Sequence, residues 1–290
     1  ELVKAVSSLG KKTIMVLFNG RALALGDVEP CVDAIVEGWY PGPAGARPVA
    51  RVLSGDVNPG GRLPITFPKI SAQCPIYYGT KTGSGYLSFT KGMPQKEESV
   101  MQPLYPFGYG LSYSTFEYSN MKVTRNDEND TYEVSVDVKN TSTIDGKEVV
   151  QIYVQKPYTA LDITNGIEKP SVELVGFVKV DVPAGQTVTA KTTVEEKYFA
   201  SYDAKIEKTY VIGSSNTKDE YLITAAKDAH DAINNILQYK KSKGVAIEES
   251  KMYVNASRDS GNKDLVYGKY IAYDNKKYST NEFIEEENAN

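Results

Sequence analysis

Apolar residues recur at one period in the first third of the chain and at another in the middle. Leu2, Val3, Val6 and Leu9 fall on one face of an amphipathic helix that opens with no capping residue before it. Thr13–Phe18 is a short apolar run bounded by Lys11-Lys12 and Asn19-Gly20, the pattern of a buried strand. A helix from Val28, a strand in AIVEGWY (34–40), a helix from about Ala44 to Leu53 and a strand in RLPITF (62–67) follow. Buried strands alternating with helices predict an α/β layer on a mainly parallel sheet. Residues 71–104 show no period, and a loop of that length inside a domain is usually functional or contact-making.

From about Phe116 the period becomes two. Tyr132, Val134, Val136 and Val138 alternate with Glu133, Ser135, Asp137 and Lys139, and EVVQIYVQ, VELVGFVKVDV, TVTAKTTV and KTYVIGSS continue the pattern between turns such as Asp145-Gly146 and Pro183-Ala184-Gly185. Short strands with regular turn signals predict an antiparallel β-sandwich of immunoglobulin or fibronectin type III kind. Over 217–243, Leu222, Ala225, Ala226, Ala229, Ile233, Ile236 and Leu237 share a helical face. The remaining residues are polar, and LVYGKYIAYDNKKY (265–278) reads either as a small hairpin with an Asp-Asn turn or as part of a loosely ordered tail. The predicted fold class is α/β plus all-β, with a helical C-terminal extension. The expected units are 1–104 for the α/β portion, 105–116 as an aromatic connecting segment, 117–216 for the β-sandwich and 217–290 for the extension.

Composition narrows the partners. The 290 residues carry a net charge of −4, with no basic surplus to bind a phosphate backbone, which argues against nucleic acid. No apolar run approaches the ~20 residues that span a bilayer, and no secretion signal opens the chain, so a soluble protein of unassigned compartment is expected. Because the chain opens inside an element, it reads as a piece of something longer. Cys31 and Cys74 are too few for a disulfide framework and are expected to be small buried hydrophobes. His230 is the only histidine, so a His-clustered metal site cannot be built from this chain alone.

The stretch YPFGYGLSYSTF (105–116) concentrates aromatics and glycines. It reads either as a stacking platform for sugars or bases or as the packing between two domains. SGDVNPGGRLPITFP (54–68) followed by PLYPFGYGLSYSTF (103–116) resembles the C-terminal half of a family 3 glycoside hydrolase, the β-glucosidase/β-xylosidase family. KTIMVLFNGRALAL (12–25), AIVEGWYPGPAG (34–45) and ELVGFVKVDVPAGQTVTAKTTV (173–194), with SYD at 201–203 and YVIGSS at 210–215, resemble further segments in the same order, covering about residues 1–220. The resemblance implies an incomplete α/β sandwich domain followed by a fibronectin-III-like domain. It also implies a parent enzyme cleaving terminal β-linked glucosyl or related residues by double displacement, without a cofactor.

Retaining glycoside hydrolysis needs two carboxylates about 5–5.5 Å apart. In the resembled family the nucleophile is an aspartate of an N-terminal barrel, and the acid/base is usually a glutamate upstream of this chain's first residue. Glu37 and Asp56 lie in matching regions but not at catalytic positions, so no catalytic, cofactor-binding or metal-binding residue is carried over. The implied partners are a catalytic (β/α) barrel portion and a β-glycoside or oligosaccharide, with no nucleic acid and no membrane. The aromatic run then reads as the seam between domains, with Gly108 and Gly110 permitting close backbone approach. Arg62 reads as part of a βα-type connection rather than a sugar contact, and Trp39 as core rather than a stacking ring. Two segments depart from the family pattern: Gly42–Arg47 replaces a Gly-Gln/Glu-Glu-Gly-Gly segment, and GYLSFTKGMPQKEES (85–99) lacks the usual aromatic-Arg-aromatic strand. Sequons stand at Asn129, Asn140 and Asn255. The rival readings are a stand-alone carbohydrate-binding or adhesion module, which predicts exposed aromatics clustered on one strand face, and an inactive remnant.

Overall fold

The computed structural model describes residues 1–80, 102–247, 262–273 and 276–284. Asn255, the segment 85–99 and the Asp-Asn pair at 274–275 lie outside the described residues. The N-terminal part begins with α1 (Leu2–Ser7), then β1 (Ile14–Leu17), β2 (Ala34–Glu37) and α2 (Ala46–Leu53). β1 and β2 pair in parallel, Ile14 opposite Ala34, as the alternating pattern predicts. Two expectations fail locally. The helix from Val28 is a single 3-10 turn over Glu29–Cys31, ended where Val32 turns extended (φ −123°, ψ 152°) on the way into β2. RLPITF does not join the parallel sheet. Pro64 and Pro68 interrupt it, and its backbone bonds turn to the aromatic run, with Leu63 N–H on Tyr109 O (2.8 Å) and Phe67 N–H on Tyr105 O (2.9 Å).

Ten strands follow among the described residues: β3 (Phe116–Asn126), β4 (Thr131–Asn140), β5 (Gly146–Gln155), β6 (Glu173–Val182), β7 (Thr187–Glu195), β8 (Ser201–Asp203), β9 (Thr209–Ile212), β10 (Tyr221–Ala226), β11 (Val266–Lys269) and β12 (Lys276–Tyr278), with the short helix α3 (Ala160–Asn165) between β5 and β6. They form sheets ordered β3-β4-β7, β11-β10-β5-β6 and β12-β9-β8. Between them lies one apolar core, filled from β4 by Tyr132, Val134, Val136 and Val138 and from β5 by Val150, Ile152 and Val154. The period-two signal therefore marks the inward face, as a half-buried strand requires.

Sequence periodicity misplaces the next element. The helix expected over 217–243 is confined to α4 (Ala229–Ser242), and Tyr221–Ala226 is a strand between β5 and β11. The cause is burial on both faces. Tyr221, Ile223 and Ala225 enter the sandwich core, while Leu222 and Ala226 pack under Ala229, Ala232 and Ile236 of α4. A strand covered on both sides loses its alternation, and here the apolar run matches a helical face. Asp228 starts α4 by accepting the N–H of Asp231 (2.9 Å). The expected hairpin is also absent: β11 adds to β10 and β12 adds to β9, in different sheets. The extension thus supplies an internal strand (β10), edge strands β11 and β12, and a covering helix to the sandwich.

Cys31 is half-buried and Cys74 exposed, so neither is the core residue its chemistry predicts. Cys31 closes the 3-10 turn Glu29–Cys31 and Cys74 follows the turn Ser71–Gln73, both outside the sheets. Among the described residues no helix is long and apolar enough to cross a membrane.

Candidate functional site

The α/β part and the sandwich meet along a seam built mainly from the NPGGR turn and the aromatic run. Asn58 uses its whole amide there: Nδ2 donates to Ser114 Oγ (2.8 Å) and the Asp145 carbonyl (2.9 Å), and Oδ1 accepts from Ser112 Oγ (2.7 Å) and the Tyr113 N–H (2.8 Å). Arg62 is buried and ion-paired with Glu148 of β5, and it also donates to the Gly61 carbonyl (2.8 Å). The second carboxylate oxygen of Glu148 accepts the Tyr118 hydroxyl of β3 (2.7 Å). The guanidinium is therefore taken up by the sandwich.

The aromatic rings are absorbed in the same way. Phe107 stacks on Tyr78 at 4.1 Å between centroids, and its carbonyl accepts the Ala229 N–H of α4 (3.1 Å). Tyr105 stacks on Tyr109 at 5.0 Å and leans on Phe67, which receives the edge of Trp39 at 5.9 Å. Burial, with Glu29 beside the hydroxyl, pushes the Tyr105 phenol well above its ordinary value. Tyr113 donates to the Val52 carbonyl in α2 (2.7 Å). Gly108 has φ +83° and its carbonyl accepts Gln151 Nε2 (3.0 Å); a Cβ there would collide with Gln151 Oε1. A Cβ on Gly110 would collide with the Gly61 carbonyl. Both glycines are required by close approach, as the sequence indicates.

A second feature lies where β1 and β2 end together. Asn19-Gly20-Arg21 follows β1 and Gly38-Trp39-Tyr40 follows β2. Glu37 ties them: its carboxylate accepts Asn19 Nδ2 (3.2 Å) and the Trp39 N–H (2.9 Å). Trp39 is in the left-handed region at φ 52°. At the opposite strand ends, Asp33 accepts Thr13 N–H (2.8 Å) and Lys12 Nζ (2.6 Å), bonds that hold its carboxyl below the ordinary range. Carboxyl ends of parallel strands are where open α/β sheets bind ligands. Beside this edge an apolar hollow of about 580 Å³ is lined by Phe18, Pro41, Pro43, Val49, Ala50 and Leu53.

Of the two carboxylates in family-like segments, Glu37 serves the chain turn with both oxygens, and Asp56 is exposed beyond α2. No group of three or more metal-ligating side chains forms among the described residues. Asn129 is exposed in the β3–β4 turn. Asn140 is buried and donates to the Ile144 and Val182 carbonyls (2.8 and 2.9 Å), which leaves no room for a glycan. Sequence reading missed Glu148 and Gln151. Two polar residues inside the near-continuous apolar run EVVQIYVQ were the available signal, since buried polar groups demand partners.

An α/β unit clasped through polar pairs to a fibronectin-like sandwich defines a two-part scaffold, with the β1 and β2 strand ends at an edge of the α/β unit. Residues 1–113 match the glycosyl hydrolase family 3 C-terminal domain and residues 148–214 the fibronectin type III-like domain. The chain belongs to glycosyl hydrolase family 3. It is 39% identical over 207 residues to a xylan 1,4-beta-xylosidase of Xylanibacter ruminicola, covering 71% of this chain and 22% of that protein. It is 37% identical over 203 residues to a periplasmic beta-glucosidase of Salmonella typhimurium, covering 67% and 25%. The solved GH3 beta-glucosidase of Bifidobacterium adolescentis superposes with a TM-score of 0.65 at 25% identity, covering 95% of this chain and 35% of that one. The chain spans between a fifth and a third of the length of the curated relatives it matches.

Proposed function

We propose that this chain is the scaffold and one cleft wall of a retaining β-glycosidase acting on terminal β-glucosyl or β-xylosyl residues, with the catalytic carboxylates on a barrel portion outside it. The observation that carries the reading is the seam. Two family-matched parts are locked to each other through Asn58, Arg62–Glu148 and the aromatic run, which is the construction of a support rather than of a flexible tether. Glu37 and Asp56 are not built as a catalytic pair, which supports placing the nucleophile and the acid/base on the barrel portion. The stand-alone carbohydrate-binding reading needs exposed aromatics on one strand face. Tyr105 and Tyr109 instead stack on each other with Tyr105 tilted against Phe67, and Phe107 stacks on Tyr78.

The test is hydrolysis of chromogenic β-glucosides and β-xylosides by this chain alone and by the chain joined to a family 3 barrel portion. Activity only in the joined form is expected. Activity in the chain alone would overturn the scaffold role, and its absence in both would favour the inactive-remnant reading.

A further inference from the structure

We propose that Arg21 and Tyr40, the residues flanking Gly20 at the strand-end edge, contact the sugar in this chain and set its hold on the β-glycoside. The proposal rests on the glycosidase reading above. Tyr40 is 82% exposed and yet placed with care: its hydroxyl and Cζ lie 2.6 and 2.7 Å from where a Cβ on residue 20 would stand. Any side chain at position 20 would displace the ring. The backbone that carries Tyr40 is turned by Trp39 at φ 52°, a conformation that a bulky residue keeps only when its surroundings over-determine it. Those surroundings are visible. Glu37 holds the Trp39 N–H, Asn19 holds Glu37, and the Trp39 indole is packed edge-on against Phe67.

The result is a rigid mount for an uncovered ring. Arg21, next after Gly20 in the chain, is exposed, with its own N–H on Asn19 Oδ1 (3.3 Å) and no ion pair among the described residues. An aromatic face takes the C–H face of a pyranose, and a guanidinium fork donates to a pair of adjacent hydroxyls. That combination suits a sugar better than an apolar protein segment, for which the neighbouring hollow is the fitting surface. The position agrees, because ligands of open parallel sheets lie beyond the carboxyl ends of the strands.

The experiment uses the polypeptide carrying barrel and chain together, with p-nitrophenyl β-glucoside and cellobiose as probes. Tyr40→Ala is expected to raise KM by about three- to tenfold, the size of one aromatic contact, with kcat nearly unchanged. Tyr40→Phe should keep KM near wild type because the ring remains. Arg21→Ala should raise KM, and Arg21→Lys should restore only part of it. Unfolding midpoints should not move. Wild-type KM in both alanine variants of an active enzyme overturns this proposal alone, as does a fall in kcat at constant KM. A wild-type enzyme that hydrolyses neither probe overturns the glycosidase reading, and this proposal with it.

Discussion

Arg62 and Glu148 meet with both side chains out of water, and a pair of this kind is costly to break from one side. Arg62→Ala leaves a buried carboxylate facing only the Tyr118 hydroxyl, and a loss of about 3–5 kcal/mol in unfolding free energy is expected from chemical denaturation. Replacing both residues with apolar ones of similar volume, Arg62→Met with Glu148→Leu, should cost far less. Equal losses from the single and double variants would show that the pair itself, rather than the stranded charge, supplies the stability. Gly108→Ala combines a strained φ with a collision on Gln151, and should lower the unfolding midpoint more than the same change at Gly185, where φ is also positive (+69°) but no heavy atom lies within 4 Å.

At the scale of elements, α4 is the cover of the outer sheet face. Ile236 is fully buried among Leu222, Ala226 and Tyr153, so Ile236→Ala should destabilise by about 2–5 kcal/mol through lost burial and a residual cavity. His230, in the first turn of α4, is driven by burial to a pKa of about 4, with Asp228 opposing the shift only in part. Its folded value lies below its ordinary value of 6.5, so the unfolded chain binds a proton first as pH falls. The stability associated with the neutral imidazole is intact above pH 6.5 and declines toward pH 4. Unfolding midpoints measured across that window should fall more steeply for the wild type than for His230→Gln. Parallel pH profiles would rule the imidazole out as the cause.

For the whole molecule, the apolar surface is distributed unevenly. The sandwich core is closed, whereas Leu2 (77% exposed), Leu9 (72%), Ile14, Phe18 and Leu53 leave the α/β part with uncovered apolar side chains, Phe18 and Leu53 among them lining the hollow. Exposed patches of this sort drive association. Sedimentation of the isolated chain should show mass rising with concentration, and a monodisperse monomer across the same range would contradict that. The same chain joined to a barrel portion should sediment as a defined species, because the mating surface is then covered.

The linear pattern determined the sequence of layers here. Parallel β1 and β2, helix α2, the inward faces of β4 and the need for Gly108 were all legible, because local period and turn chemistry act within a few residues. Family motifs added the identity of the two parts. What only the tertiary structure decided was which groups meet across long separations. Arg62 and Glu148 are 86 residues apart, and Asn58 reaches Asp145 over 87. Neither pairing leaves a trace in local spacing. Tyr221–Ala226 shows the same limit from the other side. Its two faces are buried by different layers, so the alternation that identifies a strand is erased, and only the packing of β5, β11 and α4 around it reveals the strand. The strand-end edge was half legible: Trp39 stood out as the lone Trp, but its left-handed turn and the exposure of Tyr40 over Gly20 arise from how two strand ends are bound together by Glu37 and Asn19.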